Sequence, residues 1–276
     1  MKTGSAVIAS LASMAAAAFL QMPMDADNLS GAATEATKAA KHPTLPNKIL
    51  WAWKRSEDLS KINPSEFGVA YLACHVFIQG ENIKWQSRNQ PLKVPPNTIV
   101  VPTIRIDVDR GEKPAFSEKQ IEKIVQLIER SNTVPNLGQV QIDYDALESE
   151  RPFYNSLLKR LRKTLPESIP ISITALASWC LFDNWIKDLP IDESVPMMFS
   201  LGKDRDKVLR YFRQGRDFID PRARQSLGLS LEDTPVNELM IPIVQKRKIP
   251  VRVYVFTRTA WTEKKIQTAR TMLNQL

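Results

Sequence analysis

The stretch "GQVQIDYDA", residues 138–146, sets an amide and two acids on one side of an otherwise apolar strand. Gln141, Asp143 and Asp145 share one phase of a period of two, and Val140, Ile142 and Tyr144 share the other. Side chains alternate across a strand, so the segment has one apolar face and one face that carries acids. A solvated face does not need such order, and a buried face has to pair or neutralise the charges. The use of the acids therefore depends on the sheet that the strand joins.

Working outward, similar runs recur along the chain after residue 46. They are "KILWAW" (48–53), "GVAYLACHVFI" (68–78), "TIVVPTIRID" (98–107), the quoted "GQVQID" (138–143), "IPISITAL" (169–176), "SVPMMFS" (194–200), a weak "RDFI" (216–219) and "IPVRVYVF" (249–256). Their Val, Ile and aromatic content and near-continuous apolarity fit strands covered on both faces. Helical patterns fall between several of them. Ile121, Ile124, Val125 and Ile128 follow the i, i+3, i+4, i+7 spacing, and Ser117 with Gln120 forms a capping box ahead of them. Phe153, Leu157, Leu158, Leu161 and Leu165 line a second helix; Val208, Leu209 and Phe212 mark a third, and Ile266, Ala269, Leu273 and Leu276 a closing one. The segments after the first, second and seventh runs are irregular. Eight strands alternating with helices predict an α/β fold of the (β/α)8 TIM-like barrel type. A doubly wound open sheet is the alternative, but its glycine-rich first turn is missing.

The 276 residues, 43% hydrophobic and 25% charged, describe a globular chain with material for a sizeable core. The net charge of +8 and pI near 9.4 favour anionic surroundings. The basic residues are nevertheless spread over helices ("KRLRK", 159–163; "QKRK", 245–248), and no base-reading motif accompanies them, so no nucleic-acid partner is expected. Cys74 and Cys180 make no disulfide framework, and His42 and His75 are too few and poorly spaced for a zinc site. Phosphate-binding glycine loops and the serine-hydrolase elbow are absent, so neither a metal nor a cofactor is expected.

At the N-terminus, Lys2 precedes "AVIASLASMAAAAFL", which is too short for a confident membrane span and carries small residues ahead of Phe19. Residues 1–20 are read as an export signal or an Ala-rich tail, 21–46 as a linker and 47–276 as one barrel domain. A periplasmic or secreted location, with no stable membrane span after signal removal, is the expectation.

A barrel of this type builds its pocket from the loops at the C-terminal ends of its strands. That rim would collect Trp51 and Trp53 from the first strand, Arg105 and Asp107 from the third, Asp143 and Asp145 from the fourth with the Gln141 amide behind them, Trp179 after the fifth, Met197 and Met198 in the sixth, and Tyr254 and Trp261 around the eighth. Acids among indole rings suit a carbohydrate, because ring faces stack on sugars while carboxylates handle hydroxyls and protons. Asp145, nearer the rim, is the candidate general acid and Asp143 its electrostatic partner. Trp51, Trp53, Arg105, Asp107, Gln141, Trp179, Tyr254 and Trp261 are candidate substrate contacts. Two structural roles compete: Asp145 with Glu148 fits a helix cap, and Asp143 can pair with Arg105 as a buried ion pair.

The blocks "LWAWKRSEDL", "QIDYDALESERPFYNSLLKRLR", "SITALASWC", "LPIDESVPMMF" and "VYVFTRTAW" resemble the uncharacterised bacterial domain-of-unknown-function 3142 family over about residues 48–262. That family looks akin to barrel-type glycoside hydrolases, which implies a carbohydrate ligand and a barrel fold. Laid on the chitinase-type motif Asp-Gly-x-Asp-x-Asp-x-Glu, the final Glu falls on Asp145 and the preceding Asp on Asp143. Gln141 stands where the motif has another Asp, and Gly138 and Gln139 replace its opening Asp-Gly. The resemblance thus implies a glycoside-hydrolase-like protein acting on a polysaccharide by carboxylate chemistry. The departures at 138, 139 and 141 leave a non-catalytic glycan-binding barrel as the alternative.

Overall fold

In a computed structural model, residues 44–276 are described. Eight parallel strands close on themselves: β1 (Lys48–Ala52), β2 (Phe67–Gln79), β3 (Val100–Val108), β4 (Val140–Asp143), β5 (Ile171–Leu176), β6 (Glu193–Met197), β7 (Ser226–Ser230) and β8 (Arg252–Phe256). Each pairs with the next in sequence, and β1 pairs with both β2 and β8, which completes the ring. The expected (β/α)8 barrel is the fold. Residues 1–43, the stretch read as an export signal or Ala-rich tail and most of that read as a linker, lie outside the described residues. Leu45, from the stretch read as linker, is buried in the barrel interior.

Helices follow six of the eight strands. They are α1 (Glu118–Glu129), α2 (Arg151–Thr164), α3 (Ala177–Phe182), α4 (Arg205–Arg213) with the short α5 (Pro221–Arg224), α6 (Thr234–Gln245) and α7 (Glu263–Leu273). The capping box before α1 is formed, with Ser117 and Gln120 bonding each other's backbone N–H groups. As expected, the connections after β1 and β2 are irregular. The strand Asn82–Ser87 turns back antiparallel on β2, and Glu57–Asp58 pairs with Leu92–Lys93.

The seventh strand is a correction to the sequence reading. Residues 216–219 form no strand; Phe218 is fully buried there, its ring edge-on to Phe212 at 5.0 Å. The true β7 is "SLGLS", followed by a regular helix, α6, rather than an irregular segment. Serine and glycine carry little strand preference of their own, and the interior of the barrel explains why they are there. Ser226 bonds Glu193, Ser230 bonds Glu232, and a Cβ on Gly228 would stand 3.0 Å from the Trp51 ring. The strand's composition is set by what presses against it from inside.

The outward faces of the strands join the helices in one continuous core. Val140, Ile142 and Tyr144 lie in it together with Phe153, Leu157, Leu158 and Leu161 of α2. The inward faces form a separate cluster of Leu45, Ile49, Trp51, Ala70, Val101, Val195 and Tyr254. The alternation in residues 138–146 is therefore the alternation between helix-facing and barrel-interior positions.

Candidate active site at the C-terminal mouth

The inward positions of β4 run from the closed end of the barrel toward its mouth. Gln139 comes first and bonds Glu193 and the Tyr254 hydroxyl. Gln141 sits one level higher, where its Oε1 accepts from the Trp51 indole at 3.0 Å and from Thr103 at 3.1 Å. Asp143 is next, 4% exposed, accepting from the Thr174 hydroxyl at 2.6 Å and from Arg105 Nη1 at 3.1 Å. Asp145 follows the strand and is exposed; its Oδ2 accepts from the same Arg105 Nη1 at 2.9 Å.

Arg105 is the hub of the cluster. β3 and β4 pair with Arg105 level with Asp143, so the guanidinium reaches both acids of β4. It also binds Asp107, two residues along its own strand, with Nη2 to Oδ1 at 2.8 Å. Asp107 Oδ2 lies 2.6 Å from His75 Nε2, across the pairing of β2 with β3. Three carboxylates thus share one arginine, with a histidine at the end of the chain of contacts.

The electrostatics separate these acids. Burial raises the Asp143 carboxyl above its ordinary 3.8, and Asp145 adds to that, against the opposing pull of Arg105 and Thr174. Burial also pushes Asp107 upward, but its hydrogen bonds from Arg105 and His75 outweigh this and leave it below 3.8. Arg105, despite its own burial, is held protonated by the acids around it. Burial lowers His75 below 6.5, helped by the positive charges of Lys54 and Arg105. With Asp107 ionised, the His75 proton sits on Nε2 and is donated to Asp107.

The other expected contacts lie deeper. Trp51 and Tyr254 are buried within the barrel, their rings 5.1 Å apart. Trp179 is buried in α3 against Trp185, and Trp261 is buried with its indole donating to the Trp51 carbonyl. None of these four rings is open to a ligand; Trp53 is half-buried. Aromatic faces nearer the mouth come from Phe199 and Phe256, half-buried and stacked at 5.2 Å with planes 11° apart. Of the two structural roles weighed for the acids, Asp143 does pair with Arg105. The helix start after β4 is instead served by Glu150, which accepts from the Leu147 N–H and the Tyr144 hydroxyl.

The sequence pattern does not point to His75 or Thr174 as site residues. Thr174 offers no signal, being one hydroxyl within an apolar strand. His75 is hidden by an irregularity: the pairing of β2 with β3 slips between Leu72 and Cys74, leaving Ala73 as an extra residue. Counting by twos from Gly68 and Ala70 would place Cys74 inside, whereas the bulge turns Cys74 to the helix-facing core and His75 to the mouth.

Comparison with known proteins follows this geometry. A family profile described as Domain of unknown function (DUF3142) matches residues 97–227, in line with the resemblance seen in the sequence. No curated protein matches the chain in sequence. Among solved structures, the spore cortex-lytic enzyme SleL of Bacillus cereus aligns with a TM-score of 0.50 at 12% identity, covering 84% of this chain and 75% of that one. A family GH18 chitinase from Chromobacterium violaceum aligns at 0.49 and 11% identity, covering 84% of each chain. At such identities the likeness to SleL concerns the fold alone, a closed (β/α)8 barrel.

Proposed function

We propose that this chain is an exported glycoside-hydrolase-like protein that acts on a polysaccharide, with Asp145 as the general acid. The observation that carries this reading is the strand-end pair of acids at the barrel mouth, one exposed and one buried. Asp145 Oδ2 is held by Arg105, while its Oδ1 has no protein partner among the described residues and can meet a glycosidic oxygen. Asp143 lies beneath as its electrostatic partner, in a buried setting that disfavours its charge. Asp107, on the neighbouring strand and oriented by His75, is the second carboxylate of the mouth. Arg105 fixes the spacing of all three. SleL, described as a spore cortex-lytic enzyme, supports the reading through its barrel fold. Among the described residues no helix is long and apolar enough to cross a membrane.

The test is turnover of a panel of polysaccharides by the wild-type chain, Asp145→Asn and Asp143→Asn. Asp145→Asn should lower turnover by about a hundredfold to ten-thousandfold, the range for loss of a general acid. Hydrolysis untouched by both substitutions would refute the assignment. One observation favours the alternative of a barrel that binds glycans without cleaving them: Arg105 already pairs with each of the three carboxylates. Saturable glycan binding with no turnover on any polymer would decide for it.

A further inference from the structure

A cleft of about 300 Å³ opens beside the acid cluster and shares His75 with it. One wall is β2, through His75 and Phe77; another is the end of the antiparallel strand and the turn beyond it, through Gln86, Arg88 and Asn89; Lys54 closes it from the loop after β1. The charge in this cleft has one sign. Lys54 is exposed and, among the described residues, makes no hydrogen bond or ion pair. Arg88 donates to the carbonyls of Trp53 and Arg55; among the described residues it has no carboxylate in ion-pair range, and its Nε is buried without a partner. The carboxylate that acts on Arg88, Glu57, is committed to Arg55 and to the Trp261 N–H. No acidic side chain lines the cleft.

The remaining lining is amide and hydroxyl groups from Gln86, Ser87, Asn89 and Gln90, with Leu72 and the Phe77 ring on the apolar side. An unpaired lysine and an arginine without an ion-pair partner, set among neutral polar groups and a ring face, match a polyhydroxylated ring that bears an acid group. Arginine and lysine favour carboxylate and sulfate ligands, and hydrogen bonds to ionised groups are the strong ones.

Resting on the reading of the mouth as a glycan site, we propose that the cleft of Lys54, His75 and Arg88 is a subsite for an anionic sugar residue. It makes an acidic polysaccharide, rather than a neutral one, the substrate class of this barrel. The contacts from His75 to Asp107, Arg105 and Asp145 connect this cleft to the proposed acid. A sugar held in the cleft would put the next linkage of the polymer toward the carboxylates.

Isothermal titration calorimetry on the full chain tests this with oligogalacturonate, a sulfated galactan oligomer and a neutral chito-oligomer of equal length. Oligogalacturonate should bind about tenfold or more tightly than the neutral oligomer, as expected of one charge-assisted hydrogen bond, and the advantage should shrink as salt is added. Lys54→Gln should weaken oligogalacturonate binding several-fold and Lys54→Glu more, without changing the melting temperature or affinity for the neutral oligomer. Tight binding of the sulfated oligomer as well assigns the subsite to negative charge in general; preference for oligogalacturonate narrows it to carboxylates. Equal affinity for charged and neutral oligomers, binding of none, or a Lys54→Glu chain with undiminished oligogalacturonate affinity overturns the proposal. Turnover plays no part in this readout. Acidic oligomers bound but never cleaved would refute the acid chemistry and leave the subsite, and cleavage of neutral glycans without charge preference would do the reverse.

Discussion

Both ends of the barrel interior hold a buried carboxylate against an arginine, and they use the pairing in opposite ways. At the closed end Glu193 meets Arg252, Gln139, Ser172, Ser226 and Tyr254, so one acid is satisfied by five donors. At the mouth the ratio falls: Asp107, Asp143 and Asp145 share one guanidinium, with His75 and Thr174 as the other side-chain donors among the described residues. Burial pushes Glu193 upward, but Arg252 and its other donors outweigh this and hold it below 4.5, whereas burial leaves Asp143 above 3.8. The number of donors per acid separates a structural plug from a protonatable site, since burial is nearly complete in both.

This contrast can be broken from either end. The largest effect is expected from Glu193→Ala, which leaves Arg252 with no carboxylate and four other polar groups with a lost partner. Loss of one member of a buried pair costs about 3–5 kcal/mol, and urea denaturation would show it. A midpoint close to wild type would mean that the closed end is not held by this network. Gly228→Ala comes next, because its Cβ would crowd the Trp51 ring at 3.0 Å. Overpacking of this kind costs about 1–3 kcal/mol by the same assay.

The two ends should also differ in the sign of their pH dependence. Glu193 is depressed, so its contribution is full above 4.5 and is lost as pH falls through its folded-state value. Glu193→Gln should therefore be destabilising at neutral pH, and the deficit should close in acid. Asp143 is raised, so folding favours its protonated form; the benefit is full below 3.8 and is lost as pH rises through the folded-state value. Asp143→Asn, which keeps an acceptor for Thr174, should be neutral or stabilising at pH 7, with its advantage fading below 3.8. Parallel pH curves for the two substitutions would erase the distinction. The smallest effect belongs to Asp145→Asn: exposed at the mouth, it should change stability by less than about 1 kcal/mol, as surface pairs do, while its proposed effect on turnover is large.

Much of this architecture is legible in the sequence because the barrel imposes simple periods. β4 announces itself through the alternation of Gln141 and Asp143 with Val140 and Ile142, since interior and helix-facing positions differ so sharply in chemistry. β7 does not, because Gly228 yields space to Trp51 and its serines serve Glu193 and Glu232, which only the closed ring reveals. The meeting of Arg105, Asp107, Asp143 and Asp145 follows from strand order and register. Depth along the barrel axis does not follow from sequence, so Trp51 and Tyr254, expected at the rim, lie a level below it. His75 reaches the mouth only because Ala73 bulges, and a pattern of two cannot count an extra residue.

The most direct test of the difference between the two ends is a carbon-detected NMR titration of the side-chain carboxyls. Asp143 should titrate above 3.8, while Glu193 and Asp107 remain ionised to below 4.5 and 3.8 respectively. An Asp143 that titrates at or below 3.8 would contradict the account, because the mouth would then be a second settled ion pair and not a place that holds a proton.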